Sequence, residues 1–230
     1  MAEKTKFWYL KQFNYFESMS DDEMRNVERA SSMQSIKPHQ PIYFPDTPSD
    51  AIYFLKEGHV KISRINVDGK EIIIDIIGPG EVFGELSVVS EEDRRSEIAE
   101  ALDDIIICAI KKEMFENMMK MNPEMNLQVT KRIGLRLRKI EERVTDLAFK
   151  DSRQRIATFL IRHAEEFGKT KGGIISVKMH LTHQEIALLT ASSRQTVTTT
   201  LNEFRSSGII DFTRNEIIIK DFPSLNTIGR

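Results

Sequence analysis

The stretch Thr182-His183-Gln184-Glu185-Ile186-Ala187-Leu188-Leu189-Thr190-Ala191-Ser192-Ser193-Arg194-Gln195-Thr196-Val197 reads as two short helices joined by a tight turn. Thr182 and Glu185 stand at capping-box spacing, so hydroxyl and carboxylate each satisfy a free N–H and the first helix starts sharply. Ser193 is set to cap the second helix, whose inner face takes Val197, Leu201 and Phe204 at spacings of four and three. Arg194, Gln195, Thr198 and Thr199 fall on the outward side near its N-terminal end. Gly208 is a stop signal, and residues 209–212 and 216–219 flank Thr213-Arg214-Asn215 as a hairpin. A helix-turn-helix followed by a β-wing is a compact reading unit for double-stranded DNA. The same pattern also fits a plain helical hairpin with a wetted outer face. Ala191 stands where the turn favours a left-handed residue, at a cost of about 1 kcal/mol for alanine.

The totals bound the rest. A chain of 230 residues with 40% hydrophobic side chains suits one large or two ordinary globular domains. Net charge is −2, but residues 151–230 hold eleven Lys plus Arg against eight Asp plus Glu, a balance of +3 that leaves −5 for residues 1–150. The helix-turn-helix thus lies in the more basic part, a modest bias that pairing of two copies would strengthen through added phosphate contacts. No apolar run approaches the roughly eighteen residues of a membrane span, and no signal-peptide core adjoins Met1-Ala2-Glu3-Lys4-Thr5-Lys6, so a cytoplasmic location is expected. Cys108, the only cysteine, sits among Ile105, Ile106, Ile107 and Ile110 and reads as a buried strand residue. One thiol supports neither an intramolecular disulfide nor a cysteine-held iron–sulfur cluster.

A short N-terminal helical segment with Phe13, Phe16, Met19, Met24 and Val27 gives way near Ile36 to short β-branched runs broken by Glu57-Gly58, Asp68-Gly69 and Gly78-Pro79-Gly80. Such spacing predicts an antiparallel sandwich or barrel of jelly-roll type, with a hairpin at Val67-Asp68-Gly69-Lys70. A long helix is predicted from Pro123 to about Phe149. Within it Ile133, Leu137, Ile140, Val144 and Leu147 form a heptad seam, flanked by Arg136, Arg138, Lys139, Glu141, Glu142 and Arg143. The sustained 3.5-residue period favours pairing with a second copy over packing on the chain's own β-domain. Asp151 is placed to cap a further helix carrying Ile156, Phe159, Leu160 and Ala164, and residues 168–173 read as a loop. The expected organisation is α+β: an antiparallel β-roll with N-terminal helices (1–122), a long dimerisation helix and hinge (123–150), and a winged helix-turn-helix (151–230).

Gly84-Glu85-Leu86 followed by Arg95-Ser96 is the second region with chemistry. Gly80 and Gly84 permit close backbone approach, and a short helix starting near Glu85 would turn free N–H groups toward an anion. Arg95 offers a planar cation for phosphate oxygens, Ser96 a hydroxyl, and Glu85 an acceptor for a sugar hydroxyl. Together they suit a ribose phosphate. Arg94 and Arg95 beside Glu91, Glu92 and Asp93 equally suit a solvated charge cluster. No metal is expected, because His39, His59, His163, His180 and His183 show no ligand spacing. No nucleophile–base set or Walker-type lysine loop supports the competing reading, an enzyme acting on nucleotides or phosphoesters.

Over nearly its whole length the chain resembles the CRP/FNR family of bacterial transcription regulators. Phe83-Gly84-Glu85-Leu86 with Arg95-Ser96 is similar to the family's phosphate-binding cassette, and Ser192-Ser193-Arg194-Gln195-Thr196-Val197 to its recognition helix. Residues 144–151 resemble the end of the long helix in the cyclic-AMP receptor branch. The resemblance implies that Glu85 holds a ribose 2′-hydroxyl, that Arg95 and Ser96 hold a cyclic phosphate, and that Arg136 lies near the ligand; Gly84 and Leu86 belong to the same cassette. It also implies a homodimeric, DNA-binding regulator, activating rather than repressing, with cyclic AMP as allosteric effector and RNA polymerase as a further partner. DNA contacts are implied for Thr182, Ser193, Arg194, Gln195, Thr196, Thr198 and Thr199. Where adenine-reading relatives carry a Thr-Ser pair, this chain has Ile140 and Glu141, so the base half of the site is altered, with Glu141 either an acceptor for the adenine amine or a surface residue. An effector other than cyclic AMP, or none, is the alternative. Relatives that read TGTGA half-sites carry glutamate at the position of Gln195, which implies a related palindrome altered at one base pair.

Overall fold

In the computed structural model, the described residues are 5–11, 13–89, 94–213 and 215–230. The chain divides into two compact units, one formed by the chain to Lys70 with Ile74–Arg138, the other by Glu71–Ile73 with Lys139–Arg230. The division falls inside the long helix, because that helix spends its first turns on the core of the first unit.

The first unit opens with helices α1 (Lys6–Leu10) and α2 (Asp21–Ala30), joined through a single 3-10 turn at Asn14–Phe16. Ser20 and Glu23 form a capping box that starts α2. Eight strands follow: β1 (Ser32–Ile36), β2 (Pro41–Tyr43), β3 (Ala51–Glu57), β4 (Val60–Ile65), β5 (Glu71–Ile77), β6 (Val82–Phe83), β7 (Ile98–Ala101) and β8 (Ile105–Lys111). They make two sheets, ordered β1-β8-β3-β6 and β2-β7-β4-β5, which is the expected β-roll. The β4–β5 turn forms because Gly69 adopts φ +78° while the Asn66 side chain accepts from the backbone N–H of Asp68 and Lys70. Period-two alternation sorts the core. Leu55, Val60, Ile62, Ile77, Phe83, Ala99, Ile105 and Ile107 fill one buried cluster. Ile52, Phe54, Cys108 and Ile110 point to the other face, where Leu10, Phe13, Phe16, Met24 and Val27 cover them.

A one-turn helix α3 (Leu86–Val89) lies between β6 and β7, and α4 (Lys112–Met121) leads into α5 (Pro123–Phe149). Met125, Val129 and Ile133 of α5 pack on the helix-covered core. Further along, Leu137, Ile140, Val144 and Leu147 are 37–59% exposed. At 100° per residue these four spread over a stripe centred about 60° from the Met125–Val129 face, and Ile133 falls at its centre. The start of the helix packs on its own β-domain, as the sequence allowed, and its later seam is exposed in the single chain.

In the second unit Asp151 and Gln154 form a capping box for α6 (Ser152–Phe167). Helices α7 (His183–Thr190) and α8 (Arg194–Ser206) follow strands β9 (Lys169–Lys171) and β10 (Ile174–Lys178), and β11 (Ile210–Phe212), β12 (Glu216–Ile219) and α9 (Phe222–Gly229) complete the unit. Its sheet has the order β11-β12-β10-β9. The expected 168–173 loop is corrected here: Lys169–Lys171 pairs with β10, since Gly172 and Gly173, both at positive φ, close a tight hairpin. Among the described residues no helix is long and apolar enough to cross a membrane.

Candidate functional site

Two groups of side chains in the first unit carry buried charge, and topology alone brings them together. Gly84 adopts φ +78°, and a Cβ there would meet Arg95 Nη1 at 2.8 Å, so glycine is what lets the guanidinium lie against the backbone. Arg95 is 6% exposed. Its backbone is tied to the preceding loop by Arg95 N–H to Thr47 C=O and Asp46 N–H to Arg95 C=O. The guanidinium lies 4.1 Å from the Tyr43 ring centre and 5.5 Å from that of Tyr53, and Nη2 donates to the Ala51 carbonyl. Tyr43 in turn donates to Glu97, and burial first, then the Glu97 charge, pushes its phenol well up. The solvated-cluster alternative fails for Arg95, which is enclosed, whereas Arg94 is exposed; Glu91, Glu92 and Asp93 lie outside the described residues.

Glu85, 3% exposed, accepts from Arg136 Nη1 at 3.1 Å, and Arg136 Nε lies 3.3 Å from Asp75 Oδ2. Arg136 is itself buried, not a solvated flank residue of α5 as its neighbours suggested. Burial raises the Glu85 carboxyl, with Arg136 opposing; burial also works against the Arg136 charge, but Glu85 and Asp75 outweigh it and raise its pKa. Glu85 Oε2, Arg95 Nε and Arg136 Nη2 are buried without a hydrogen-bond partner, and Arg136 Nε has only its ion-pair contact with Asp75, an unusual concentration of unmet polar atoms. Their chemistry, one acceptor and several guanidinium donors, fits a ligand that combines a hydroxyl with an anion. Helix α3 has one turn only, so its dipole adds little, and the positive charge comes from side chains. Ser96 is exposed and accepts from Arg64 at 2.9 Å, Leu86 is half-buried, and Glu141 is exposed on α5, where its carbonyl accepts from Thr145. Asp75, Glu97, Tyr43 and Tyr53 were not singled out by sequence; inward alternation on β2, β3 and β5 was the available signal.

The reading head of the second unit is built locally. Thr182 and Glu185 form the full capping box of α7, Ser193 accepts from Thr196 N–H to start α8, and Ala191 takes φ 47°, ψ 49°. Arg155 holds that strained turn. Its Nε donates to the Thr190 carbonyl at 2.7 Å, Nη2 to Ala191 at 3.0 Å and Nη1 to Lys150 at 2.6 Å. Arg194, Gln195 and Thr199 are exposed at the start of α8, as are Ser193 and Thr182, while Thr196 is half-buried. Several expected contact hydroxyls are already engaged: Thr182 donates to Glu185, Ser193 and Thr196 bond each other, and Thr198 donates to the Arg194 carbonyl. Thr198 also meets His183 Nδ1 at 2.9 Å, so it faces α7 more than the outside. Burial first, then Arg194, lowers the His183 pKa. Strands β11 and β12 pair as the wing; Arg214 at its tip lies outside the described residues.

Comparison with known proteins matches both halves. Residues 33–122 match the cyclic nucleotide-binding domain family and residues 154–228 the Crp-like helix-turn-helix domain family. The chain is 31% identical over 205 residues to a CRP-like cAMP-activated global transcriptional regulator of Mycobacterium tuberculosis, covering 86% of this chain and 91% of that protein. It is also 31% identical over 179 residues to the global nitrogen regulator of Synechocystis sp., covering 77% of this chain and 80% of that one. Among solved structures, a mutant of CooA from Carboxydothermus hydrogenoformans superposes with a TM-score of 0.77 at 25% identity, over 89% of this chain and 90% of the other. These relatives are regulators, not enzymes, and the chain belongs to the CRP/FNR family of DNA-binding transcription regulators, with a cyclic nucleotide-binding domain ahead of its helix-turn-helix.

Proposed function

We propose that the protein is a homodimeric, cytoplasmic transcription activator whose affinity for a palindromic operator is controlled by a cyclic nucleotide, cyclic AMP first among the candidates. The observation that carries the ligand assignment is the buried, partner-short set of Glu85, Arg95 and Arg136 beside Gly84. Glu85 Oε2 is available to a ribose hydroxyl and Arg95 Nε to a phosphate oxygen, with Gly84, Leu86 and Ser96 completing the cassette. Ile140 cannot hydrogen-bond an adenine amine, and exposed Glu141 is the acceptor offered in its place. Leu137, Ile140, Val144 and Leu147 form the dimer seam, extended by the half-buried Ile133. Arg194, Gln195 and Thr199 read base edges, while Thr182, Ser193, Thr196 and Thr198 shape that surface and reach phosphates. Residues 1–122, 123–150 and 151–230 serve as effector domain, dimerisation helix with hinge, and DNA-binding domain, and RNA polymerase is the partner an activator needs. The printed name of the Mycobacterium relative, cAMP-activated, supports this choice of effector. The test is operator binding with and without cyclic AMP or cyclic GMP: a ligand-dependent rise in affinity is expected, and equal affinity in all three conditions refutes nucleotide control.

A further inference from the structure

Strand alternation sends Val60, Ile62 and Arg64 of β4 to one face, and the first two belong to the buried cluster that contains Tyr43 and Phe83. A cation therefore ends an apolar face beside the cassette. Arg64 is exposed, yet its Nη2 donates to Ser96 Oγ at 2.9 Å, and Ser63 pairs with Ile98, so β4 ends beside the segment that carries Ser96. Because the Ser96 oxygen accepts from Arg64, its own proton is left to donate, and a hydroxyl polarised in this way is a better donor to an anion. Arg95 commits Nη2 to the Ala51 carbonyl and keeps a buried Nε without a partner. A cyclic phosphate presents two non-bridging oxygens. One guanidinium already occupied on one edge leaves the second oxygen to another donor set.

We propose that Arg64 is a second guanidinium of the anion site: Arg95 takes one non-bridging oxygen of the cyclic phosphate, and Arg64, together with the Ser96 hydroxyl it polarises, takes the other. This rests on the cyclic-nucleotide reading above and assigns a residue to it that the cassette motif does not contain. Loss of a charge-assisted contact at a partly wetted site is worth roughly a tenfold fall in affinity.

The experiment is calorimetry on the full chain with cyclic AMP and with its two phosphorothioate diastereomers, each of which places sulfur at a different non-bridging position. Arg64→Gln is expected to weaken cyclic AMP about tenfold and to weaken one diastereomer much less than the other, because sulfur has already degraded the contact that Arg64 makes. Arg64→Lys should recover part of the loss, and Lys37→Gln, which removes an exposed charge paired with Asp104, should change nothing. Wild-type affinity in Arg64→Gln, or the same loss for both diastereomers, overturns the proposal and leaves the nucleotide reading standing. A wild-type protein that binds neither cyclic AMP nor cyclic GMP overturns both.

Discussion

Removing Arg136 tests whether the buried charges of the first unit are held by one another. In Arg136→Met, Glu85 at 3% exposure loses its 3.1 Å donor and Asp75 at 6% loses its 3.3 Å partner. Breaking one side of a buried pair costs about 3–5 kcal/mol, because the stranded charge remains desolvated. The pH dependence follows from Glu85, whose folded pKa is raised by burial. A carboxyl with a raised native pKa is unpenalised below its ordinary value near 4.5 and destabilises increasingly as pH rises through the raised one. Taking away the opposing guanidinium raises it further, so the Arg136→Met penalty should be largest at neutral pH and shrink as pH falls toward the ordinary carboxylate range. Trp8, the only tryptophan, sits on α1 of the same unit and reports its unfolding in urea by fluorescence. Adding Asp75→Asn and Glu85→Gln removes both stranded charges and should recover more than half the loss. A penalty below about 1 kcal/mol at neutral pH, or one independent of pH, would refute the reasoning.

Three further outcomes follow from the geometry. On the proposed dimer, Leu137→Lys and Ile140→Lys place a charge on the exposed α5 seam against a second copy, so sedimentation should find monomers with feeble operator affinity, and intact dimers in both would move the interface elsewhere. Ala191→Gly relieves a left-handed alanine and should stabilise the second unit by about 0.5–1 kcal/mol after the entropy of the unfolded glycine is counted, whereas Arg155→Ala, which frees three carbonyls, should destabilise it by roughly 1.5–3 kcal/mol; thermal melts that rank the two the other way contradict the account of the turn. Arg194→Ala should cost roughly 1–3 kcal/mol and erase preference at one guanine, read by selection from random duplexes, while sites without twofold symmetry would count against paired reading heads.

What the sequence made legible is what acts over short distances along the chain. The boxes at Thr182–Glu185, the Ser193 cap, the left-handed Ala191 and the Asn66–Lys70 turn each depend on partners within four residues, so spacing alone announces them. Short β-branched runs between turn signals likewise foretold two stacked sheets, and its apolar neighbours foretold a buried Cys108. Residues 168–173 misled because lysines and glycines carry the composition of a loop, yet two positive-φ glycines are also what a tight hairpin between short edge strands requires.

The charge network is hidden from local pattern, although the family resemblance set Arg136 near the ligand, and the reason is physical. Arg136 and Glu85 meet across 51 residues, Arg155 and the Thr190–Ala191 turn across 35, and Arg64 and Ser96 across 32. On a helix such as α5, an arginine among Arg138, Lys139 and Arg143 has the local pattern of a solvated flank, and nothing in that pattern says which one the sheet will bury. Only closure of the β-roll selects Arg136, by setting Asp75 on β5 and Glu85 before α3 against one face of the helix. The same closure leaves Glu85 Oε2 and Arg95 Nε buried and unmet. A fold that needed its charges for stability alone would have satisfied them, as Arg155 does at its three carbonyls. On the proposed reading, Glu85 Oε2 and Arg95 Nε are left for a ligand, whereas Arg155, satisfied at three carbonyls, serves the turn it holds.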